Sequence, residues 1–258
     1  MMRNGILLVF AFLVAPASAS ELEETISGGR LYDKWWVDTR STPPDRTHPA
    51  YKEGKKSGNS TWRCKECHGW DYRGKDGAYA KGSHYSGIKG IQGSVGQSVQ
   101  HLLDVLRNNQ HGYDKYLDAE DMKAVARFVS QGQIDMTKYI SYETKHVKGN
   151  MKVGKQLYKK HCLDCHGRSG DSLNLAHRKS KPEYVGSIAN KNPWETLHKI
   201  RFGHPGAVMD MQRMHSSMAG HRRHRGMRIM WEHMPPMLGV LSDQEQINLL
   251  TYLQTLPN

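Results

Sequence analysis

The chain contains the pattern Cys-x-x-Cys-His twice, once over residues 64–68 and once over residues 162–166. Together the two copies use all four cysteines of the chain, and a glycine follows each copy directly. The spacing lets both cysteine sulfurs reach one edge of a porphyrin, while the histidine that follows can lie beneath the centre of the ring. A zinc site built from cysteine and histidine is the alternative. The duplication favours haem attachment at both copies.

If a haem is attached at each copy, the cysteines and the histidine of that copy have defined roles. The thiols add to the vinyl groups of the haem, and the adjacent histidine becomes the proximal ligand of the iron. We therefore expect two covalently bound haem c groups. Their expected ligands are the four thiols of Cys64, Cys67, Cys162 and Cys165 and the two proximal histidines, His68 and His166.

Residues 1–19 have the pattern of a cleavable secretory signal peptide. Arg3 supplies the positive charge, residues 5–15 form a short apolar run, and residues 17–19 are small, as a cleavage site requires. No later stretch approaches the roughly 20 apolar residues that a membrane span needs. We expect a soluble mature protein that begins near Ser20 and lies in a bacterial periplasm, where free thiols would otherwise oxidise.

The composition fits two small domains that meet partners of opposite charge. Only 37% of the residues are hydrophobic, but two buried porphyrins would add apolar core that this fraction does not count. The formal net charge is +12, and the basic residues are scattered along the chain. We expect redox partner proteins with acidic docking surfaces, at most peripheral membrane contact, and no nucleic acid. The oligomeric state does not follow from the sequence.

The sequence predicts the same order of helices twice, in domains that span residues 20–132 and 151–258. Residues 29–35 and residues 154–161 open the two domains with similar helical sequences, Gly-Arg-Leu-Tyr and Gly-Lys-Gln-Leu-Tyr. Residues 36–60, rich in Pro, Gly, Lys and Ser, predict an inserted surface loop in the first domain. Residues 133–150 are polar, have no sustained period and form the predicted linker.

Four later segments have the apolar period of helices, and no strand is needed. Asp118, Asn192 and Ser242 are the expected N-caps of three of them, the last within a Ser-x-x-Glu capping box. The predicted apolar faces contain Val99, Leu102, Leu103 and Leu106; Met122, Val125 and Val129; Trp194, Leu197 and Ile200; and Ile247, Leu250, Leu253 and Leu256.

The order of helix, Cys-x-x-Cys-His box, loop, helix, ligand loop and final helix resembles the class I c-type cytochrome domain. The similarity is greatest where Met234-Pro235-Pro236 precedes residues 241–245, which are similar to the distal-ligand loop and last helix of that family. The resemblance implies an all-α fold with two cytochrome c-like helical domains in tandem, each wrapped around a covalent haem c. Residues 36–60 and a long loop at 207–233 depart from the pattern of the family.

The sixth iron ligand decides whether a haem carries electrons or binds a small molecule. In the second domain the resemblance implies Met234, which stands before two prolines and seven residues ahead of Leu241. Met209 is the alternative, because Gly203-His204-Pro205-Gly206 shortly before it also resembles the approach to a ligand methionine. A methionine ligand raises the reduction potential relative to a second histidine.

The first domain has no methionine in the matching loop. Aligning Leu117 with Leu241 places Gln110 opposite Met234, with His111 beside it. Neutral imidazole is a good iron ligand, so we expect His111 as the distal ligand of the first haem, with His84 as the alternative. His198 and His101 are expected to be ordinary hydrogen-bonded side chains. A bis-histidine first haem would have the lower potential and would pass electrons to the second.

These expectations describe a periplasmic dihaem cytochrome c that transfers electrons between redox partner proteins, for example as the cytochrome subunit of a respiratory oxidoreductase. The alternative is a dihaem enzyme with one open haem, either a peroxidase or an oxidoreductase of a small sulfur or nitrogen compound. The sequence has no fifth cysteine, no nucleophile elbow and no phosphate-binding loop. We therefore expect an electron carrier rather than a catalyst.

Overall fold

The computed structural model describes residues 18–176, 181–205 and 234–257. Within these ranges the fold is all-α, as predicted, and the only β pairings are three isolated bridges. The α-helices in this part of the chain are α1 Ala19–Asp38, α2 Cys64–His68, α3 Val99–Arg107, α4 Ala119–Arg127, α5 Met151–His161, α6 Leu163–His166, α7 Val185–Lys191, α8 Pro193–Phe202 and α9 Asp243–Leu253. Short 3-10 helices lie at Gly58–Trp62, Gln92–Ser94, Tyr113–Lys115 and Met136–Lys138.

The predicted N-caps begin the helices that the sequence assigned to them. The side chain of Asp118 accepts a hydrogen bond from the backbone of the first turn of α4, and Asn192 does the same for α8. Ser242 and Glu245 form the predicted reciprocal capping box at the start of α9. These caps satisfy N–H groups that have no partner within a helix. The four predicted amphipathic helices are therefore confirmed.

The opening helix packs against the closing helix in both the N-terminal part, residues 18–132, and the C-terminal part, residues 151–257. A β-carbon on Gly28 of α1 would lie 1.9 Å from the carbonyl oxygen of Ala124 in α4. A β-carbon on Gly154 of α5 would lie 1.9 Å from the carbonyl oxygen of Asn248 in α9. Only glycine permits backbones to approach so closely, so the two helix pairs cross in the same way.

The inserted loop differs from its prediction in two ways: it starts later, and it contains two buried residues. Helix α1 continues to Asp38, across a kink at Lys34, so residues 36–38 are helical. Most residues of 39–57 are exposed, as expected. His48 and Tyr51 are buried, because their rings gain more by packing than by facing water. The prediction of a surface loop is therefore wrong at these two residues.

Residues 133–150 lack an α-helix, in agreement with the predicted linker, but they are not a polar tether. Ile134, Met136, Ile140 and Val147 are buried within the same apolar cluster as the helices of both parts. Their irregular spacing follows neither a helical nor a strand period, which is why the sequence analysis missed them. The segment thus joins the two parts through a shared core.

Helix α8 of the C-terminal part packs directly on α1 of the N-terminal part. The ring of Phe202 occupies the space beside Gly29, where a β-carbon would lie 2.2 Å from the ring. His198 is fully buried between the parts: its Nδ1 accepts from the hydroxyl of Tyr72 at 2.8 Å, and its Nε2 donates to the carbonyl of Gly29 at 2.8 Å. The expected hydrogen-bonded role of His198 is confirmed, with partners in the other part of the chain.

Several sequence predictions concern residues outside the described ranges. These are residues 1–17 of the predicted signal peptide and the whole loop at 207–233, including Met209. Ser18 is the N-cap of α1. In the part of the chain that the structure describes, no helix combines the length and apolar character needed to cross a bilayer.

Candidate haem sites

Each Cys-x-x-Cys-His box forms one short helical turn, α2 in the N-terminal part and α6 in the C-terminal part. On a helix, residues three and four apart lie on one face, which brings the second thiol and the histidine of each box to the side of the first thiol. Gly69 and Gly167 then end the turns with φ values of 81° and 77°. Glycine adopts this positive φ without strain, which explains the glycine after each box.

A tyrosine of the opening helix holds each box in place. The hydroxyl of Tyr32 donates to the carbonyl of Gly69 at 2.6 Å, and the hydroxyl of Tyr158 donates to the carbonyl of Gly167 at 2.6 Å. Each tyrosine lies four residues after the glycine of its helix crossing, Gly28 or Gly154. This role was not predicted, although the repeated Gly-x-x-x-Tyr spacing in the sequence is a signal for it. The two boxes therefore have equivalent positions relative to their helix pairs.

The described residues give no support to the zinc alternative. None of the four cysteines forms a disulfide. Within the described ranges, no three His, Cys, Asp or Glu side chains converge as a metal ion would require. The boxes fit covalent attachment of haem better.

The ring of His68 is oriented to bind iron through Nε2. Its Nδ1 lies 2.7 Å from the carbonyl oxygen of Lys89 and donates a hydrogen bond to it. Burial lowers the pKa of His68 to about 4, so the ring is neutral. A neutral ring that donates from Nδ1 has a free electron pair on Nε2. Metal-binding histidines usually have such a partner on the second nitrogen.

His111 faces His68 at the distance that a shared iron requires. Two imidazoles that bind one metal from opposite sides need about 6 Å between ring centroids, since each metal–nitrogen bond is about 2 Å and each centroid lies roughly 1 Å behind its nitrogen. The two ring centroids are 6.3 Å apart, and the ring planes differ by 21°. The side chains present on the two sides therefore fit a six-coordinate haem iron.

Asn108 holds the loop that carries His111. Its side-chain oxygen accepts from the backbone N–H of Gln110 at 2.9 Å and from that of His111 at 3.0 Å. The same oxygen lies 3.3 Å from Nδ1 of His111, which donates to it. Asn108 directly follows α3, so the end of that helix positions the loop. Asn108 was not predicted from the sequence.

His84, the alternative distal ligand, is occupied elsewhere. Its Nδ1 lies 2.7 Å from a carboxylate oxygen of Glu66, and its ring stacks on Tyr79 with 4.8 Å between centroids. Among the described residues it is His111, not His84, that stands opposite His68. The geometry favours His111, whose role as a ligand stays a prediction.

The second site is described in part. His166 is half-buried, and its Nδ1 makes no hydrogen bond within the described ranges. Met234 is partly buried and packs against the apolar core, and its carbonyl accepts from the N–H of His204 at 3.2 Å. Met234 thus lies on the segment that the resemblance assigned to the distal ligand. Its competitor Met209 lies outside the described residues.

The backbone supports the alignment of the two ligand loops. The N–H of Leu117 donates to the carbonyl of Tyr113, and the N–H of Leu241 donates to the carbonyl of Met237, each at 2.9 Å. Both leucines are buried and stand directly before the N-cap of the closing helix. The equal turns place Met234 opposite Gln110, as the alignment from the sequence did.

Residues 151–257 match the family model described as cytochrome c. This part of the chain is therefore a cytochrome c domain, of a family that carries covalently bound haem c and transfers electrons. The match includes Cys162, Cys165, His166 and Met234. The box at residues 64–68 lies outside it. No curated protein matched the chain in a sequence comparison.

Proposed function

We propose that the protein is a periplasmic dihaem cytochrome c that transfers electrons between redox partner proteins. The observation that carries this proposal is the pair of facing imidazoles at the first box, His68 and His111, with 6.3 Å between ring centroids. A haem iron bound by both would have no free position for substrate. Such an iron suits electron transfer without bond formation.

Three equivalences support a second cytochrome c-like domain in residues 20–132. Each part has a glycine at its helix crossing, a tyrosine bound to the glycine after the box, and the same turn before its closing helix. The C-terminal copy of this arrangement lies within the cytochrome c domain. We infer that the N-terminal copy is built for the same group, which makes two haems per chain.

The residues of this chain hold the haem and keep its ligands in the binding form. Haem c supplies a one-electron ferric–ferrous couple when it is bound. The carbonyl of Lys89 and the side-chain oxygen of Asn108 accept hydrogen bonds from the Nδ1 atoms of His68 and His111, so Nε2 of each ring would be the atom that binds iron. Lys65 and Glu66 within the first box are buried as an ion pair, with 2.7 Å between nitrogen and oxygen.

The two ligand sets give electron transfer a direction. We propose His68 and His111 for the first haem, and His166 and Met234 for the second. A methionine ligand raises the reduction potential, so electrons would enter at the first haem and leave at the second. The net charge of +12 favours partners with acidic docking surfaces. Export through a signal peptide at residues 1–19 would bring the chain to such partners in the periplasm.

The number of haems per chain tests whether the protein is a dihaem cytochrome. The intact mass of the purified holoprotein should exceed the mass of the mature chain by two haems. The paired substitution C64A/C67A should remove one haem, and C162A/C165A should remove the other. A wild-type protein with a single haem, lost only in C162A/C165A, would contradict the dihaem proposal.

Binding of carbon monoxide distinguishes an electron carrier from the alternative, an enzyme with one open haem. We expect the spectrum of the reduced holoprotein to stay unchanged after carbon monoxide is added, because both irons have six ligands. Rapid binding of one carbon monoxide per chain would instead reveal an open haem and favour a peroxidase or a small-molecule oxidoreductase. The His111→Ala variant is the positive control, since it should bind carbon monoxide at the first haem.

A further inference from the structure

We propose that His48, from the inserted loop of the N-terminal part, is a positioning residue that holds the distal ligand His111 at the first haem. This inference rests on the proposed role of His111. His48 was not singled out in the sequence, because a lone histidine in a Pro- and Gly-rich loop gives no signal of its own.

The hydrogen bonds of His48 fix both its ring and its tautomer. The side chain is buried, with 5% of the residue exposed. Its Nδ1 accepts from the backbone N–H of Ala50 at 3.1 Å, so the ring hydrogen is on Nε2. Nε2 then donates to the carbonyl oxygen of His111 at 3.3 Å. The ring therefore reaches the backbone of the ligand residue itself.

The inserted loop is anchored firmly enough to act as a support. The N–H of His48 donates to the hydroxyl of Thr61 at 2.9 Å, and the imidazole packs edge-on against Trp62 with 4.3 Å between centroids. The indole of Trp62 in turn donates to the carbonyl of Arg46 at 2.8 Å. Trp62 lies two residues before Cys64, so the support of His48 is continuous with the haem box.

The ligand loop needs support at the carbonyl of His111. Asn108 holds the N–H and the ring of His111 from the side of α3. The next residue, Gly112, has a φ of 61° and no side chain to restrict the backbone beyond the ligand. The N–H of Gly112 donates to the carbonyl of Asn108 at 2.8 Å, and the hydrogen bond from His48 holds the carbonyl of His111 itself. His111 is thus held from two directions, once by its own loop and once by the insertion.

A matched pair of substitutions tests the inference. His48→Gln keeps an N–H that can donate to the carbonyl of His111, whereas His48→Met has a similar length and no donor. We measure the rate of carbon monoxide binding to the reduced holoprotein and the high-spin band of the ferric first haem. His48→Met should bind carbon monoxide at the first haem and show the high-spin band, neither of which we expect of the wild type, because a hydrogen-bonded support of a metal ligand is lost. His48→Gln should stay near the wild type.

The exposed His101 on α3 supplies the control. His101→Met should leave both readouts unchanged. Wild-type behaviour of His48→Met would overturn the inference, and so would equal effects of both His48 substitutions. Loss of the first haem in His48→Met alone would support it, while loss in both variants would show that the hydrogen bond is not what matters.

The same experiment distinguishes this inference from the proposed function. If the wild type already binds carbon monoxide at the first haem, the six-coordinate assignment fails and the role of His48 fails with it. If neither the wild type nor His48→Met binds carbon monoxide at the first haem, the proposed function stands and only the role of His48 is wrong.

Discussion

The hydroxyl groups of Tyr32 and Tyr158 position the two Cys-x-x-Cys-His boxes, and their removal should weaken the fold at both boxes. Each buried hydroxyl donates to the carbonyl of the glycine after its box at 2.6 Å. We expect Tyr32→Phe and Tyr158→Phe each to lower the free energy of unfolding by about 1 kcal/mol, the scale of one lost hydrogen bond, because each carbonyl keeps only a 3.3 Å bond from the N–H of Tyr72 or Gly170. Denaturant titration of the holoprotein measures this. The exposed Tyr85 gives the control, and an equal effect of Tyr85→Phe would contradict the assignment.

A buried carboxylate should make stability fall in acid. Asp33 is 3% exposed and forms an ion pair with Arg63. Burial alone would raise the pKa of Asp33, but Arg63 and Lys199 outweigh it and lower the pKa from 3.8 to about 2. The ionised form is therefore favoured in the folded state, and its contribution is complete above about pH 4. About 2 kcal/mol should be lost as the pH falls from about 4 to about 2.

The Asp33→Asn variant tests this acid dependence. Its free energy of unfolding, measured by denaturant titration at several pH values, should change less between pH 4 and pH 2 than that of the wild type. Asp76, which pairs with Lys75 at the surface, is the matched control. Exposed pairs contribute little, so Asp76→Asn should keep the wild-type slope. An unchanged slope in Asp33→Asn would show that another group carries the acid sensitivity.

Single residues were predictable where the chemistry requires a fixed local pattern. The boxes at 64–68 and 162–166 and the caps Asp118 and Ser242 depend on neighbours within a few positions, so the sequence contains them directly. His48 acts on His111 through a contact that forms only when the chain folds, because the two residues are 63 positions apart. Nothing in the neighbourhood of His48 marks it, so its role could not be predicted without the structure. Asn108 lies three positions before His111, and an asparagine that binds the backbone just after it is a local turn pattern.

In each part of the chain, the packed pair of opening and closing helices positions the Cys-x-x-Cys-His box. A β-carbon on Gly154 would lie 1.9 Å from the carbonyl oxygen of Asn248, so Gly154→Ala must push α5 and α9 apart. We expect a loss of about 1–3 kcal/mol, the usual scale of overpacking, measured by thermal or denaturant unfolding. Gly28→Ala should act alike at the crossing of α1 and α4. Gly93 has open space around its β position, so Gly93→Ala should be nearly neutral.

At the level of elements, the sequence predicted the helices with a regular apolar period and missed the contacts of irregular segments. Helices α3, α4, α8 and α9 lie where period and caps placed them. The inserted loop and residues 133–150 carry buried side chains at uneven intervals, such as His48 and Val147. The spacing of apolar residues cannot reveal such buried side chains, because the residues that they pack against lie far away in the chain.

At the scale of the whole molecule, the residues that the structure describes share an apolar core that extends through both parts of the chain. The buried cluster includes residues from α1 and α4, from residues 133–150, and from α8 and α9. Arg201 of α8 is also buried, and it donates to Gln246 at 3.1 Å and to the carbonyl of Gly132 at 3.3 Å. A polar group that links the parts inside the core resists their separation, because it would lose its partners.

This shared core should make the two parts unfold together. In calorimetry of the holoprotein we expect a single transition, with the calorimetric enthalpy equal to the van't Hoff enthalpy. His198 tests the cause, because its neutral ring joins Tyr72 and Gly29 across the interface. His198→Phe keeps the shape of the ring but leaves both partners unpaired, so the calorimetric enthalpy should exceed the van't Hoff value as the parts begin to melt separately. The exposed His101→Phe should keep one transition. Two transitions in the wild type would mean that the parts fold independently, and that the contact between α8 and α1 contributes little to their stability.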